Sequence, residues 1–327
     1  MVERTQQIAD FLGRAGWAGA GAQPLAGDLS PRKYVRLTRS DGSRAILMDA
    51  DPEADPSTPA YLAMTRWLGA LGLSVPDVRA ARESEGLLLL EDFGDAMLTG
   101  LIQKHPERQN EYYHQAIEVL IVVRDAAPKA LRQPTADQMV QDTNLADEWY
   151  PGVDRAALAH FRGVLEAALE GILATGASVS LRDFHADNVI WLEDREGVQK
   201  VGLLDYQDAF LTHPVYDLMS LMTDARTDVP RTLRAQLIEH YARETNEAVD
   251  AVAHAVAVLG AQRNLRILGV FARAARKYGK PQHLSAMPRV YGYFSECLSH
   301  PAFSELAVDL PNMLPEPNPE LIKGLGA

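Results

Sequence analysis

Three side chains in this sequence have the types and spacing that metal-assisted phosphoryl transfer requires: Asp183, Asn188 and Asp205. Such a transfer asks little covalent help of a protein. It needs a carboxylate beside the attacking hydroxyl, oxygen ligands for Mg²⁺ and a loop over the phosphates. Mg²⁺ takes hard oxygen donors, often one or two carboxylates besides the phosphates. The segment Leu181-Arg182-Asp183-Phe184-His185-Ala186-Asp187-Asn188 offers an Asp and, five residues on, an Asn. Two short apolar runs follow, Val189-Ile190-Trp191-Leu192 and Lys200-Val201-Gly202-Leu203-Leu204, and the second ends at Asp205. Read as a hairpin, they bring the three groups to one end. An Asp and an Asn at this spacing are a weak signal alone, because both also serve as loop caps and turn residues. The hairpin and the Asp after it make the signal strong.

The hairpin interrupts a stretch that otherwise reads as helix. Periodic apolar segments cover 106–127, 153–175, 230–245, 250–279 and 286–299. A lone hairpin with acidic flanks among helices suggests a device for holding carboxylates. The first ninety residues differ. Tyr34–Thr38 and Ala45–Met48 flank Ser40-Asp41-Gly42-Ser43, an Asp-Gly hairpin signal. Thr58 as a cap and Pro59 in the first turn open a helix to Leu71. Strands near Val78–Arg82 and Gly86–Leu90 come next, the second continuous enough for a covered sheet. Glu91-Asp92-Phe93-Gly94-Asp95 then breaks the pattern, placing a boundary between residues 1–92 and 93–327 and a natural hinge. The Pro-rich stretch Pro311–Pro319 reads as an extended surface wrap.

Composition narrows the function classes. The 327 residues exceed one small core and suit two lobes, with 47% hydrophobic and 23% charged residues as in ordinary globular chains. A formal charge of −12 argues against a nucleic-acid surface, which needs a basic stripe. A single cysteine, Cys297, leaves no intrachain disulfide and no cysteine cluster for zinc. Ile8, Phe11 and Leu12 among Glu3, Arg4 and Asp10 make an amphipathic helix rather than a signal peptide. No run approaches the roughly 18 apolar residues that span a bilayer. The expectation is therefore a cytoplasmic protein with a small-molecule substrate, no nucleic acid and no membrane; oligomeric state stays open.

The layout resembles the aminoglycoside/choline kinase-like phosphotransferases, relatives of protein kinases. Their catalytic loop typically reads His-Gly-Asp-x-x-x-x-Asn, with a strand and an Asp after it. The resemblance runs along essentially the whole chain. It implies an α+β, protein kinase-like two-lobe fold with a small β-rich N-lobe and a large, mainly helical C-lobe. It also implies ATP and Mg²⁺, with Asp183 as the base facing the acceptor hydroxyl and Asn188 and Asp205 as metal ligands. Leu90, Glu91 and Asp92 fall in the adenine-binding linker. Arg182–Leu192, Gly202–Ala209, His213–Leu218, Asp224-Ala225-Arg226, Met48-Asp49-Ala50 and Gln262–Gly269 are similar, more narrowly, to kinases of N-acetylmuramate and N-acetylglucosamine. Those phosphorylate the C1 hydroxyl in recycling cell-wall amino sugars.

Two positions depart from the wider family. Leu181 stands where a loop histidine is usual, and Met48 where a strand lysine would grip the phosphates. Met donates no hydrogen bond, so Arg32 or Lys33, beside the Gly27–Pro31 turn, is the substitute cation; the alternative is a solvated strand edge. The amino-sugar kinases also carry Met-Asp-Ala there. His185 and Asp187 are candidates for the sugar, against loop packing and a solvated acid. Gln207 and Asp208 either steady the metal Asp or meet substrate. Asp217 reads as a support for the loop backbone. Trp149-Tyr150 could stack on a sugar, against a buried aromatic pair. Arg263 and Arg266 share a helix face, suiting a lactyl carboxylate or a structural ion pair. Competing acceptors are an aminoglycoside, choline or homoserine. A nucleotide-binding pseudokinase is the reading from outside enzymology.

Overall fold

A computed structural model of the protein describes residues 2–25, 31–126, 129–307 and 309–326. Of the expected Gly27–Pro31 turn, residues 27–30 lie outside the described residues. The architecture is α+β, and the chain divides into two compact units. One comprises residues 1–100 with 188–208, the other 101–187 with 209–327. The hairpin after the Leu181–Asn188 segment therefore groups with the first unit, although it follows the Glu91–Asp95 break by about a hundred residues.

The first unit holds a five-stranded antiparallel sheet. Its strands are β1 (Gly21–Pro24), β2 (Lys33–Thr38), β3 (Arg44–Asp49), β4 (Val78–Arg82) and β5 (Leu87–Leu90), in the order β1-β2-β3-β5-β4. The β2–β3 turn is closed as its sequence suggests. Asp41 Oδ1 accepts from the Ser43 backbone N–H at 2.8 Å and from its hydroxyl at 2.6 Å. All four leucines of β5 are buried, which is what a strand covered on both faces requires. Helix α1 (Val2–Arg14) lays Ile8, Phe11 and Leu12 against Trp17, Leu37, Leu47, Leu87 and Leu89. Arg4 fastens it, donating to Asp49 Oδ1 at 2.5 Å and to the Glu85 carbonyl at 2.7 Å. Helix α2 (Thr58–Ala70) begins one residue earlier than expected, with Ser57 at the cap, and Ser57 makes no side-chain cap bond. β1 is an addition to the expected strands. Gly21-Ala22-Gln23-Pro24 lacks β-branched and aromatic residues, and pairing with Val35–Thr38 makes it an edge strand.

The hairpin strands Val189–Trp191 and Val201–Leu203 pair antiparallel, Val189 opposite Leu203. Several contacts bolt them to the rest of the first unit. The Leu203 N–H donates to Ser74 O at 2.8 Å, and Trp191 N–H to Ala96 O at 2.8 Å. Gly202 lies under Phe93: a Cβ there would sit 2.9 Å from the ring.

The second unit is mainly helical and is built on Val249–Tyr278. By length and mean hydropathy this helix could cross a membrane, although Arg263, Asn264 and Arg266 break its apolar run. Within the unit, 78% of an apolar 18-residue stretch of this helix is buried, as in a core helix. Gly269 lets it approach Leu145 and Ala146 closely; a Cβ would lie 2.5 Å from the Leu145 carbonyl carbon. Helices Gln109–Asp125, Arg155–Leu173, Arg231–Thr245 and Met287–Leu298 occupy the other expected segments. The hairpin is not the one β feature after residue 96, however. Ser178–Ser180 pairs with Phe210–Thr212 in a second ladder, three residues a side and too short to show a period. The Pro-rich stretch is pinned rather than laid on the surface. Leu314 is buried, and Tyr150 and Tyr291 donate to the Pro315 and Leu314 carbonyls at 2.6 and 3.1 Å. Cys297 is a buried helical thiol, pushed up to about 12 chiefly by burial.

Candidate active site

In the second unit the loop Leu181–Asp187 is held from both ends by two buried carboxylates. Asp217, in the first turn of helix Tyr216–Met222, accepts from the Leu181 N–H at 2.6 Å, the Arg182 N–H at 3.1 Å and the Ser180 hydroxyl at 2.8 Å. These bonds hold Arg182 at φ 74°, a left-handed conformation costly for a side chain with a Cβ. Leu181, where a histidine is usual, is buried and held through its backbone by Asp217. Asp224, just past the same helix, accepts from the Ala186 N–H at 3.1 Å and the Arg226 N–H at 2.8 Å. Burial raises both carboxyls, Asp217 to about 6, against the hydrogen bonds that favour their ionised forms.

Between these clamps stands Asp183, partly exposed, with Arg263 Nη2 3.4 Å from its Oδ1. Burial alone would raise its carboxyl. Arg263, Arg182, His185 and Arg266 outweigh that and hold it below the usual range. Arg263 is buried and also donates to the Tyr216 hydroxyl at 3.2 Å, so the expected ion pair is formed. Arg266 comes no nearer than 4.0 Å to Asp142. Arg226 gathers the two sugar candidates: its Nε lies 3.0 Å from Asp187 Oδ2 and its Nη1 3.3 Å from His185 Nε2. Tyr150 is core, and Trp149 Nε1 donates to Glu148 at 3.1 Å.

In the first unit Asn188 and Asp205 sit at the same end of the hairpin, where the Leu204 N–H donates to the Asn188 carbonyl at 3.0 Å. Asp205 takes a left-handed φ of 59°, tolerable for an Asp, and its carboxylate is 42% exposed. Gln207 Nε2 donates to Asp205 Oδ1 at 3.0 Å and to Asp208 Oδ2 at 3.1 Å, so Gln207 steadies both acids. Tyr206 locks the turn, stacking on Tyr61 at 5.1 Å and sharing a 2.8 Å hydrogen bond with Thr65. Among the described residues no three His, Cys, Asp or Glu gather as a metal site. Mg²⁺ needs less. One orientated, accessible carboxylate and an amide oxygen beside nucleotide phosphates fit it.

The linker candidates are engaged through their side chains. Glu91 binds Arg195 at 2.9 Å, and Arg195 also covers the Phe93 ring at 5.0 Å. Asp92 is buried against Arg36 at 2.8 Å, and Arg36 reaches Asp95 and the Gly94 carbonyl too. The backbone is engaged too: Leu90 is paired with Ile46 and Val78, and the Glu91 N–H donates to the Asp77 carbonyl at 2.8 Å. Arg32 lies 3.5 Å from Asp205, while Lys33 is exposed at the start of β2. Sequence reasoning missed Asp55, Arg36, Asp224 and Arg226 as working residues. Asp224 and Arg226 stood within a motif, but nothing local marks Asp55 or Arg36.

Residues 21–253 match the model of the APH phosphotransferase enzyme family. An N-acetylmuramate/N-acetylglucosamine kinase of Caulobacter vibrioides is 34% identical, covering 93% of this chain and 95% of its own. One from Pseudomonas putida is 26% identical over 92% and 91%. Among solved structures, a choline/ethanolamine kinase family protein of Mesorhizobium loti superposes with TM-score 0.65 at 15% identity, covering 93% of this chain and 98% of the other. Choline kinase of Streptococcus pneumoniae gives 0.65 at 12%, over 90% and 99%. These two share the protein kinase-like fold. The family match and the breadth of the Caulobacter likeness agree with the loop and hairpin geometry: the chain belongs to the APH phosphotransferase enzyme family.

Proposed function

We propose that this protein is an ATP-dependent amino-sugar kinase, transferring the γ-phosphoryl group to the anomeric C1 hydroxyl of N-acetylmuramate or N-acetylglucosamine. The observation that carries the acceptor is end-to-end likeness to kinases of those sugars. The loop geometry supports the chemistry. Asp183 accepts the hydrogen bond of the incoming hydroxyl and aims its oxygen. A carboxylate held below its usual range is a weak base, which suits a loose transition state in which the proton leaves late. His185 and Asp187, arranged by Arg226, meet the sugar. Asn188 and Asp205 hold Mg²⁺, with Gln207 and Asp208 behind Asp205; when bound, the ion offsets phosphate charge and orientates the transferring group. The adenine lies along the backbone of Leu90, Glu91 and Asp92, with Arg32 or Lys33 toward the phosphates. The intact trio disfavours a pseudokinase.

The test is ADP release with each sugar, followed by ³¹P–¹H NMR of the product, where coupling to the anomeric proton marks a C1 phosphate. Asp183→Ala is expected to lose ~10²–10⁴-fold in kcat while remaining folded by circular dichroism. Turnover of neither sugar by the wild type would sink the acceptor, and near-normal turnover by Asp183→Ala would remove the base.

A further inference from the structure

We propose that Arg32, anchored by Asp55, is the cation that grips the nucleotide phosphates in this chain, a role that β3 leaves open. The inference rests on the kinase reading and deepens it. β3 carries Met48, fully buried and opposite Tyr34 in the β2–β3 register, and a thioether cannot hold a phosphate. The cation comes instead from the residue just before β2. Arg32 is a buried guanidinium, 7% exposed. Its Nε donates to Asp55 Oδ2 at 2.7 Å and its Nη1 to the Tyr34 hydroxyl at 3.4 Å. The same Nη1 lies 3.5 Å from Asp205 Oδ1, the carboxylate assigned to the metal.

Asp55 is itself fixed. Its second oxygen accepts the Ser57 N–H at 3.0 Å at the entry to α2. Although burial opposes it, the bonds from Ser57 and Arg32 hold this carboxyl below its usual range. One oxygen of Asp55 is thus tied to the backbone and the other to Arg32, leaving the guanidinium to project past Tyr34 toward Asp205. A charge at that spot stands next to the metal ligand, where phosphate oxygens shared with Mg²⁺ must come. The planar fork offers donors to Asp55 and to a phosphate at once, which an ammonium on a flexible stem does less well. Lys33, exposed and facing Asp49 across the ladder, has no such anchor among the described residues.

The claim is specific to phosphate, so the full-length protein is titrated with Mg·ADP and with adenosine by calorimetry. Arg32→Met and Asp55→Asn are expected to weaken Mg·ADP roughly 10- to 100-fold, the loss of one charge-assisted contact. Adenosine affinity should change less than about twofold, and the sugar KM should stay near wild type. Arg32→Lys restores part of the Mg·ADP affinity. If Arg32→Met is unfolded by circular dichroism, Arg32→Lys and Asp55→Asn decide by the same ADP-to-adenosine ratio. Equal losses for both ligands, or Mg·ADP affinity as in wild type, would overturn the proposal and leave Arg32 a structural pair. Wild-type protein that fails to bind Mg·ADP would strike the kinase reading itself.

Discussion

Asp187 and His185 were visible in the sequence as polar residues beside a catalytic loop, each with a bland reading as plausible as the functional one. Their shared partner changes the balance. Arg226 holds Asp187 through Nε and His185 through Nη1, so two groups that could point anywhere are given one orientation. Arg226→Ala should raise the sugar KM about tenfold, with Mg·ADP affinity unchanged, in paired steady-state and calorimetric measurements. Arg226→Lys should not rescue it, because an ammonium cannot serve both partners with a fixed fork. An equal effect on nucleotide binding would show that Arg226 supports the loop as a whole. Asp183, Asn188 and Asp205 stand out as candidates because phosphoryl-transfer chemistry asks for those types and the motif for that spacing. Asp55 and Arg36 do not, since each works through a partner more than twenty residues away.

Helix Tyr216–Met222 is short, yet the carboxylates in its first turn and just beyond its end fix both ends of the catalytic loop. This makes the loop sensitive to pH through Asp217 rather than through Asp183. Ionised Asp217 accepts three donors; a proton added below about 6 removes an acceptor and frees the Leu181–Arg182 turn. We expect kcat to fall as pH drops through about 6, and Asp217→Asn to lower kcat and flatten that limb. A limb unchanged in Asp217→Asn would assign it elsewhere. Stability runs the other way. The folded value lies above the usual 3.8, so the native state holds the proton more tightly. Its contribution, on the order of 3 kcal/mol, is complete below about 4 and lost as pH rises to about 6. In the first unit, Gly202→Val would drive a side chain into Phe93 and cost ~1–3 kcal/mol by denaturant titration. The strands, the Asp-Gly turn and the long helices were readable because their signals are local. The ladder of Ser178–Ser180 with Phe210–Thr212, and β1, exist only through their partners.

Across the whole chain, the sequence pattern shows one break, at Glu91–Asp95, while the compact units require the backbone to leave the first unit, return at Asn188 and leave again after Asp208. Nothing local announces the return, because Gly202 meets Ser74 and Phe93 from far along the chain. A fragment of residues 1–100 should therefore be unfolded by circular dichroism and rapidly proteolysed, whereas the same fragment with 188–208 joined by a Gly/Ser linker should resist. Equal resistance would make the hairpin dispensable. The returning hairpin also sets a timetable on the ribosome. The five-stranded sheet emerges early, but its last covering strands follow roughly a hundred residues later, on the order of ten seconds at ~10 residues per second. During that interval Phe93 and the Ser74 edge stand open, so chaperone capture of nascent chains should peak before Asp208 leaves the exit tunnel and fall sharply after it.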